Sequence, residues 1–455
     1  LALGLRIGAT GDVRAAVVYA APPTAMRHGL AWQIIVVREA RGIPETIPDL
    51  PIVVTARAHG QEVTARGRTS ADGAFEAALA LAGVAPGEPV EVRVVEDGAP
   101  PETPPLADGV ARSTTDSPHV ELVPGFVSPT KREGPVGLDA AILGGKLVVG
   151  FPSTLWVRTI DRATGAPLPQ MTVEAEPEPG LEAPWPKATS CATGWAEMPM
   201  VARGHVLGTT LLVHDANGKE SRWFGALPVA PGSMQAAVPH EIEAGRALTI
   251  DVVSPTVRKL AYVEVDDADG RAVARVLDLT LEADGYRHAA FEIPALDEGL
   301  YWLVTAGDPR GAETLAGGAI ARPFRVRKGD LARANACEDR AQLALTQARG
   351  FPRNAALDGI AAARLRDART HRRGIALALM GLFAGAVLEF LLVLRARARA
   401  TRDASELAGA LDDAAIDAGD RQRVLAGTPG AVAIGLGLAL LGFALLAALI
   451  TYRGR

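Results

Sequence analysis

Apolar and polar residues alternate in short runs along most of this chain. Leu155–Ile160 reads LWVRTI, the pattern of a strand with one buried face. DRATG comes next as a turn, since Asp161 can bond its own backbone and Gly165 tolerates positive φ. APLPQ cannot join a central ladder, because proline has no N–H, and MTVEAE then resumes the alternation. The same order occurs from Ala31 to Gly60: an apolar strand, a turn at Arg41–Gly42, a Pro-containing connection, then PIVVTARA. The next segments also match, with TSADGAFEAALAL turning at Asp72–Gly73 and TSCATGWAEMPM turning at Gly194. A further strand closes each stretch, so Ala16–Gly98 and Lys146–Pro228 read as two copies of one module.

A third strand-rich unit comes after them. ALTIDVV, LAYVEVDDADGRAVARVLDLTL, YRHAAFEIPAL and GLYWLVTAG are alternating runs separated by turn residues. DADG at Asp267–Gly270 predicts a hairpin, because Asp-Gly suits a tight primed turn. Short strands at this spacing predict antiparallel sandwiches. Pro-rich DGAPPETPPLADG, from Asp97 to Gly109, reads as a semi-rigid linker between modules.

The pattern changes after Arg327. Two Ala- and Arg-rich stretches of good helix formers predict a helical stalk, with a disordered tether as the other reading. Ile375–Leu394 and Ala431–Ile450 are then almost wholly apolar, with Glu389 their one charged residue. Runs of about 20 residues cover a hydrocarbon core of about 30 Å as helices. Between them, Asp403 and Glu406 stand at capping-box spacing, ahead of a weak apolar stripe at Leu407, Ala410, Leu411 and Ala414. That segment reads as a solvated helical arm or as a docking face.

The expected fold is therefore mainly β: three tandem extracytoplasmic β-sandwich modules, a helical stalk and a two-helix transmembrane hairpin. The modules fall at 1–112, 113–240 and 241–327, the stalk at 328–373, the spans at 374–395 and 431–452, and a short cytoplasmic helical loop at 396–430. Arginines are nearly balanced across the spans, so the positive-inside rule does not set the orientation. The strand-rich modules, typical of secreted regions, place both termini outside the cytoplasm.

Composition adds three constraints. A net charge of −5 on 455 residues argues against a nucleic-acid binder. Abundant Ala, Val and Arg suit a bacterial source, and hence the inner membrane with periplasmic modules. The two cysteines, Cys191 and Cys337, allow one bridge or two unpaired thiols. Leu1–Thr10, LALGLRIGAT, reads either as the remnant of an apolar targeting segment or as a first strand.

IDRATGAPLPQMTVEAE resembles the D-x-x-T-G-x-P segment of bacterial immunoglobulin-like and macroglobulin-like extracellular modules. FEIPALDEGLYWLV is similar to the closing strand of the same class. The resemblance covers roughly residues 16–325 and implies a β-sandwich fold, which hosts many roles. It departs from the macroglobulin protease traps at their thioester: neither CEDR at Cys337 nor SCATG at Cys191 is a Cys-Glu-Gln-type motif.

No catalytic signature stands out. H-E-x-x-H, G-x-S-x-G and the P-loop are absent, and the eight His are scattered. His214–Asp215 reads as a surface pair at a strand end. VDDADGRAV fails the calcium-loop template at its first and last ligands, leaving Asp266, Asp267 and Asp269 as a residual inter-module calcium site. No cofactor and no metal are expected.

In the first span Gly381, Gly385 and Glu389 share a face at a spacing of four, and Ala431, Gly435 and Ala439 repeat it in the second. The two small faces pack together, or Glu389 meets a polar group on another membrane protein or lines a polar path, or it snorkels to the headgroups. The expected role is a non-enzymatic accessory or scaffolding subunit of a membrane complex, with other membrane proteins as partners. A sensor for a saccharide or peptide is the second reading, its candidates being Trp156, Trp185, Trp195 and Trp223. A subunit of an ion-driven machine using Glu389 is the third.

Overall fold

A computed structural model of the chain describes residues 13–21, 29–40, 43–112, 122–123, 125–215, 218, 220–315, 318–329, 337–412 and 442. These fall into two compact units, one holding Arg14–Arg38 and Pro44–Ile360, the other holding Glu39–Ile43 and the chain from Ala361.

The first unit is mainly antiparallel sheet around three separate cores. In the first sandwich, Val13–Ala20, Leu30–Ala40 and Ala74–Leu79 share one sheet. Gln61–Arg68, Pro51–Ala58, Pro89–Glu96 and Ala107–Arg112 make the other, in that order. The second sandwich repeats this arrangement. Val136–Ile142, Pro152–Asp161 and Trp195–Val201 face Lys187–Thr189, Thr172–Ala175, Leu207–His214 and Glu220–Leu227. Strands Pro152–Asp161 and Thr172–Ala175 lie in different sheets, so DRATGAPLPQ is the crossover between them. Asp161 caps its turn as its position suggests, accepting bonds from the N–H of Ala163 and of Thr164 at 2.9 and 2.8 Å.

The repeat extends to a third copy. Gln235–Ala236, Leu248–Ser254 and Arg287–Ile293 face Arg271–Asp278, Leu260–Asp266, Gly299–Ala306 and Ile320–Arg327 in the same strand order. Met234 and Ala236 are already buried in the third core, ahead of the expected boundary at 240. One turn recurs with its hydrogen bonds intact. Gly73 N–H donates to Ser70, Gly194 N–H to Cys191 and Gly285 N–H to Glu282, at 2.9, 2.9 and 3.1 Å. All three glycines have positive φ, +72°, +80° and +85°, a region that a side chain makes costly.

Two expectations are corrected here. Asp97–Gly109 does not link modules: Ala107–Arg112 is the last strand of the first sandwich, paired with Pro89–Glu96. Leu106, Ala107 and Ala111 are buried in its core, and the Pro-rich stretch is the loop of that hairpin.

Nor are residues 337–358 a stalk. Cys337–Leu345 is a short helix whose Ala341, Leu343 and Ala344 pack on Trp156 and Trp195 of the second sandwich. Phe351 is buried beside Trp302 of the third. Asn354–Asp358 then pairs with Val17–Ala20 of the first, adding an edge strand. The Ala- and Arg-rich composition favours helix, yet pairing with distant strands overrides it. This strap touches all three sandwiches in turn.

The next residue opens the long helix Gly359–Asp412. A Cβ at Gly359 would lie 2.3 Å from the Leu106 carbonyl oxygen and 2.5 Å from that of Ala16. Backbone on both sides cannot give way cheaply. Gly359→Ala is therefore expected to cost about 1–3 kcal/mol, as overpacking does, read as a lowered urea midpoint. A midpoint equal to that of the parent chain would refute the close fit.

In the second unit, this helix is the one among the described residues long and apolar enough to cross a membrane. Its 54 residues span about 81 Å at 1.5 Å per residue, well beyond the apolar Ile375–Leu394. Leu377, Met380, Phe383, Leu388 and Leu391 are exposed. The helix runs through Asp403, so that residue is not an N-cap; no Gly or Pro between 386 and 408 interrupts it. The second expected span, Ala431–Ile450, lies outside the described residues apart from Gly442, as do residues 413–430 and Leu1–Thr10.

Candidate functional site

Strand Leu260–Asp266 sends Ala261, Val263 and Val265 into the third core. Alternation then puts Tyr262, Glu264 and Asp266 on the opposite face. That face reads as solvent-exposed in sequence. It is buried instead, with Glu264 3% and Asp266 0% exposed, against the first sandwich and the strap.

What gathers there is a charged cluster. Arg271, across the Asp-Gly hairpin, donates from Nε to Glu264 Oε2 at 2.8 Å and from Nη2 to Glu76 Oε2 of the first sandwich at 3.0 Å. Its Nη1 reaches the Ala31 carbonyl at 3.3 Å. From the strap, Arg353 Nη2 donates to both Glu264 oxygens, at 2.8 and 2.6 Å, and its Nη1 to the Pro309 carbonyl at 2.8 Å. Gln33 Nε2 bridges Glu76 and the Pro309 carbonyl at 2.6 and 2.7 Å. Beside them the Tyr262 hydroxyl donates to Asp72 Oδ2 at 2.9 Å and lies 2.8 Å from the Ser70 hydroxyl.

Two guanidinium groups thus face three carboxyl groups in a sealed junction. Burial alone would push the Glu264 carboxyl up, but Arg271 and then Arg353 outweigh it and hold it below its ordinary range. Asp266 goes the other way: burial, and then the charge of Glu264, push its carboxyl well up. A neutral Asp266 leaves two cations against two anions. Burial also raises the Tyr262 phenol.

A second polar seam joins the strap helix to its neighbours. Arg340 pairs with Glu197 of the second sandwich at 2.9 Å, and Asp339 with Arg327 of the third at 3.5 Å. Cys191 and Cys337 are joined by a disulfide, with Cα atoms 6.5 Å apart, tying this helix to the Gly194 turn. Arg322, half-buried on strand Ile320–Arg327, donates to Gln235 Oε1 at 2.5 Å, and desolvation lowers its guanidinium to about 10.

The structure separates most of the residues that stand out in the sequence. Gly381, Gly385 and Glu389 lie on an exposed face of the long helix, and Ala431, Gly435 and Ala439 lie outside the described residues, so the small faces are not seen together. Trp156, Trp195 and Trp223 are buried, and Trp185 alone of the four is exposed, so they do not line a shared concavity. Asp267 spends Oδ1 on the N–H groups of Asp269 and Gly270, at 2.8 and 2.7 Å, while Asp266 turns into the buried cluster. Among the described residues no group of His, Cys, Asp or Glu is placed to hold a metal ion. His214 is 3.8 Å from Glu174 at the surface.

The cluster of Gln33, Glu76, Glu264, Arg271 and Arg353 has no sequence signal of its own. Its charges occupy the polar positions of ordinary alternating strands. Only the docking of one sandwich on another buries them.

One cleft adjoins the cluster. Gly29–Ala31 and Glu76–Ala80 form one wall, Ala272–Arg275 the other, around about 260 Å³.

No family model matches the chain, and no curated protein matches it. Among solved structures it is similar to invasin, a bacterial integrin-binding protein, at 12% identity over 69% of this chain and 60% of that one, with a TM-score of 0.16. It is similar to the native conformation of E. coli alpha-2-macroglobulin at 12% identity, over 71% of this chain and 23% of that one, with a TM-score of 0.17. A bacterial ice-binding adhesin matches at 10% identity over 70% of this chain and 99% of that one, with a TM-score of 0.16. The chain thus spans less than two thirds of the first two. Likeness this distant carries no argument about the type of sandwich or about function.

Proposed function

We propose that this chain is a non-enzymatic, membrane-anchored scaffold of the bacterial envelope, an accessory subunit that presents three preassembled sandwiches to protein partners outside the cytoplasm. The observation that carries this reading is the strap. It joins the three sandwiches and then continues without a break into a helix apolar enough to cross a membrane. A string of modules on a loose tether would need no such return. Among the described residues Gln61–Arg68 has a neighbouring strand on one side only, and its other edge offers backbone groups to a partner strand. The inner membrane is the anchoring site, with the modules periplasmic, and other membrane proteins are the partners.

The test is extraction of the full chain in mild detergent, with mass determination of what co-purifies. A membrane protein recovered at constant stoichiometry is the expected result. A chain that is always alone, or a homo-oligomer, overturns the accessory role. Transport lost in Glu389→Gln with the assembly intact would instead favour the ion-driven reading.

A further inference from the structure

The junction between the first and third sandwiches is sealed and carries an odd number of acids. Glu264 and Asp266 stand two residues apart on one strand face, 3% and 0% exposed, so ionising both would set three buried anions, with Glu76, against two guanidinium groups. The groups facing them come from every element packed there: Glu76 from strand Ala74–Leu79, Arg271 from the hairpin and Arg353 from the strap. Tyr262 and Asp72 border the cluster. Gln33 contributes no charge.

We propose that this junction is a proton-dependent latch, in which a protonated Asp266 lets Glu264 hold Arg353 and so keeps the strap closed on the third sandwich. With that proton present, each guanidinium has one carboxylate. Losing it puts a third anion beside Glu264 with no added cation and no access to water. Opening the junction relieves the repulsion by hydrating Asp266. Because Asp358 of the strap leads directly into the long helix, the latch governs how firmly the chain entering that helix is held.

Linkage sets the sign. Closed, Asp266 binds its proton more tightly than when open and solvated. The stabilisation it gives is complete below its ordinary range and is lost as pH rises through the raised value. Across that window opening becomes easier by up to about tenfold per pH unit, the limit for one proton. Glu264 acts in the opposite sense, losing its contribution as pH falls below the carboxylate range.

The experiment is hydrogen exchange of the strap amides Gly350–Asp358 in the full detergent-solubilised chain, from pH 4 to 9. The parent is compared at each pH with Asp266→Asn, so that intrinsic exchange cancels. The amide cannot ionise and matches the acid in size. Parent protection relative to that variant should fall by up to about tenfold per pH unit across the window. Should the variant not fold, Glu264→Gln serves: with one acid fewer, Asp266 can ionise against the same two cations, and the alkaline loss should vanish. A parent whose strap protection, corrected for intrinsic rates, is constant from pH 4 to 9 overturns the latch. So does a fall of equal size in Asp266→Asn.

Discussion

Arg271→Met should lower the stability of the full chain by about 3–5 kcal/mol, the usual consequence of removing one partner from a buried ion pair. The side chain is 1% exposed, and it meets Glu76 and Glu264 at the same time. Without it Glu264 keeps Arg353, but Glu76 keeps only the Gln33 amide. Methionine fills much of the volume, so the loss reports the charge and not a cavity. Adding Glu76→Gln to Arg271→Met should recover part of it, because the orphaned anion is then gone. Urea unfolding of the parent, both single variants and the double variant gives the coupling energy. A loss under about 1 kcal/mol would mean that water reaches the cluster and that the junction is not sealed.

The same cluster shows where sequence reading stops. Alternation in LWVRTI and MTVEAE and the Asp161 cap are local, so each was legible residue by residue; the Asp267–Gly270 hairpin was legible too, but Asp267 Oδ1 closes its loop and no residue there has the positive φ of a primed turn. The third copy of the module was harder. Its matching turn, Glu282–Tyr286, shares with Ser70–Ala74 and Cys191–Trp195 a hydrogen-bond pattern and one glycine, and little else. The strap was not legible at all. Gln347–Ala348 and Asn354–Asp358 are short, lie among helix formers, and pair with strands far back along the chain, Leu122–Val123 and Val17–Ala20. Burial of Glu264 and Arg271 depends on that same long-range docking, and no local pattern encodes it.

The three equivalent turns also share a use. Ser70 and Asp72 bind Tyr262 of the third sandwich, Cys191 binds Cys337 of the strap, and Tyr286 packs on Phe151 of the second sandwich at 5.3 Å between ring centroids. Each copy therefore docks through the same corner, and each docking uses different chemistry. The polar corner joins the first sandwich to the third, the covalent corner holds the strap, and the aromatic corner joins the third sandwich to the second. A single repeated backbone supplies the position, and one or two side chains supply the bond.

Of these corners the covalent one has the largest expected effect. Cys191 and Cys337 are 146 residues apart, and closing a loop of that length is worth about 5 kcal/mol in the chain-entropy account of disulfides. Cys191→Ser should therefore lower stability by up to about 5 kcal/mol in urea, and Cys191→Ser with Cys337→Ser by the same amount, since either change opens the one loop. Reducing the parent with a dithiol should give the same shift. The strap helix does not depend on the bridge alone, because Ala341, Leu343 and Ala344 stay buried against Trp156 and Trp195. Its release should thus accompany the loss of stability and not precede it. Equal urea midpoints for parent and variant would show that the unfolded chain is already held compact without the bridge. A double variant much weaker than the single one would show that Cys337 contributes packing of its own.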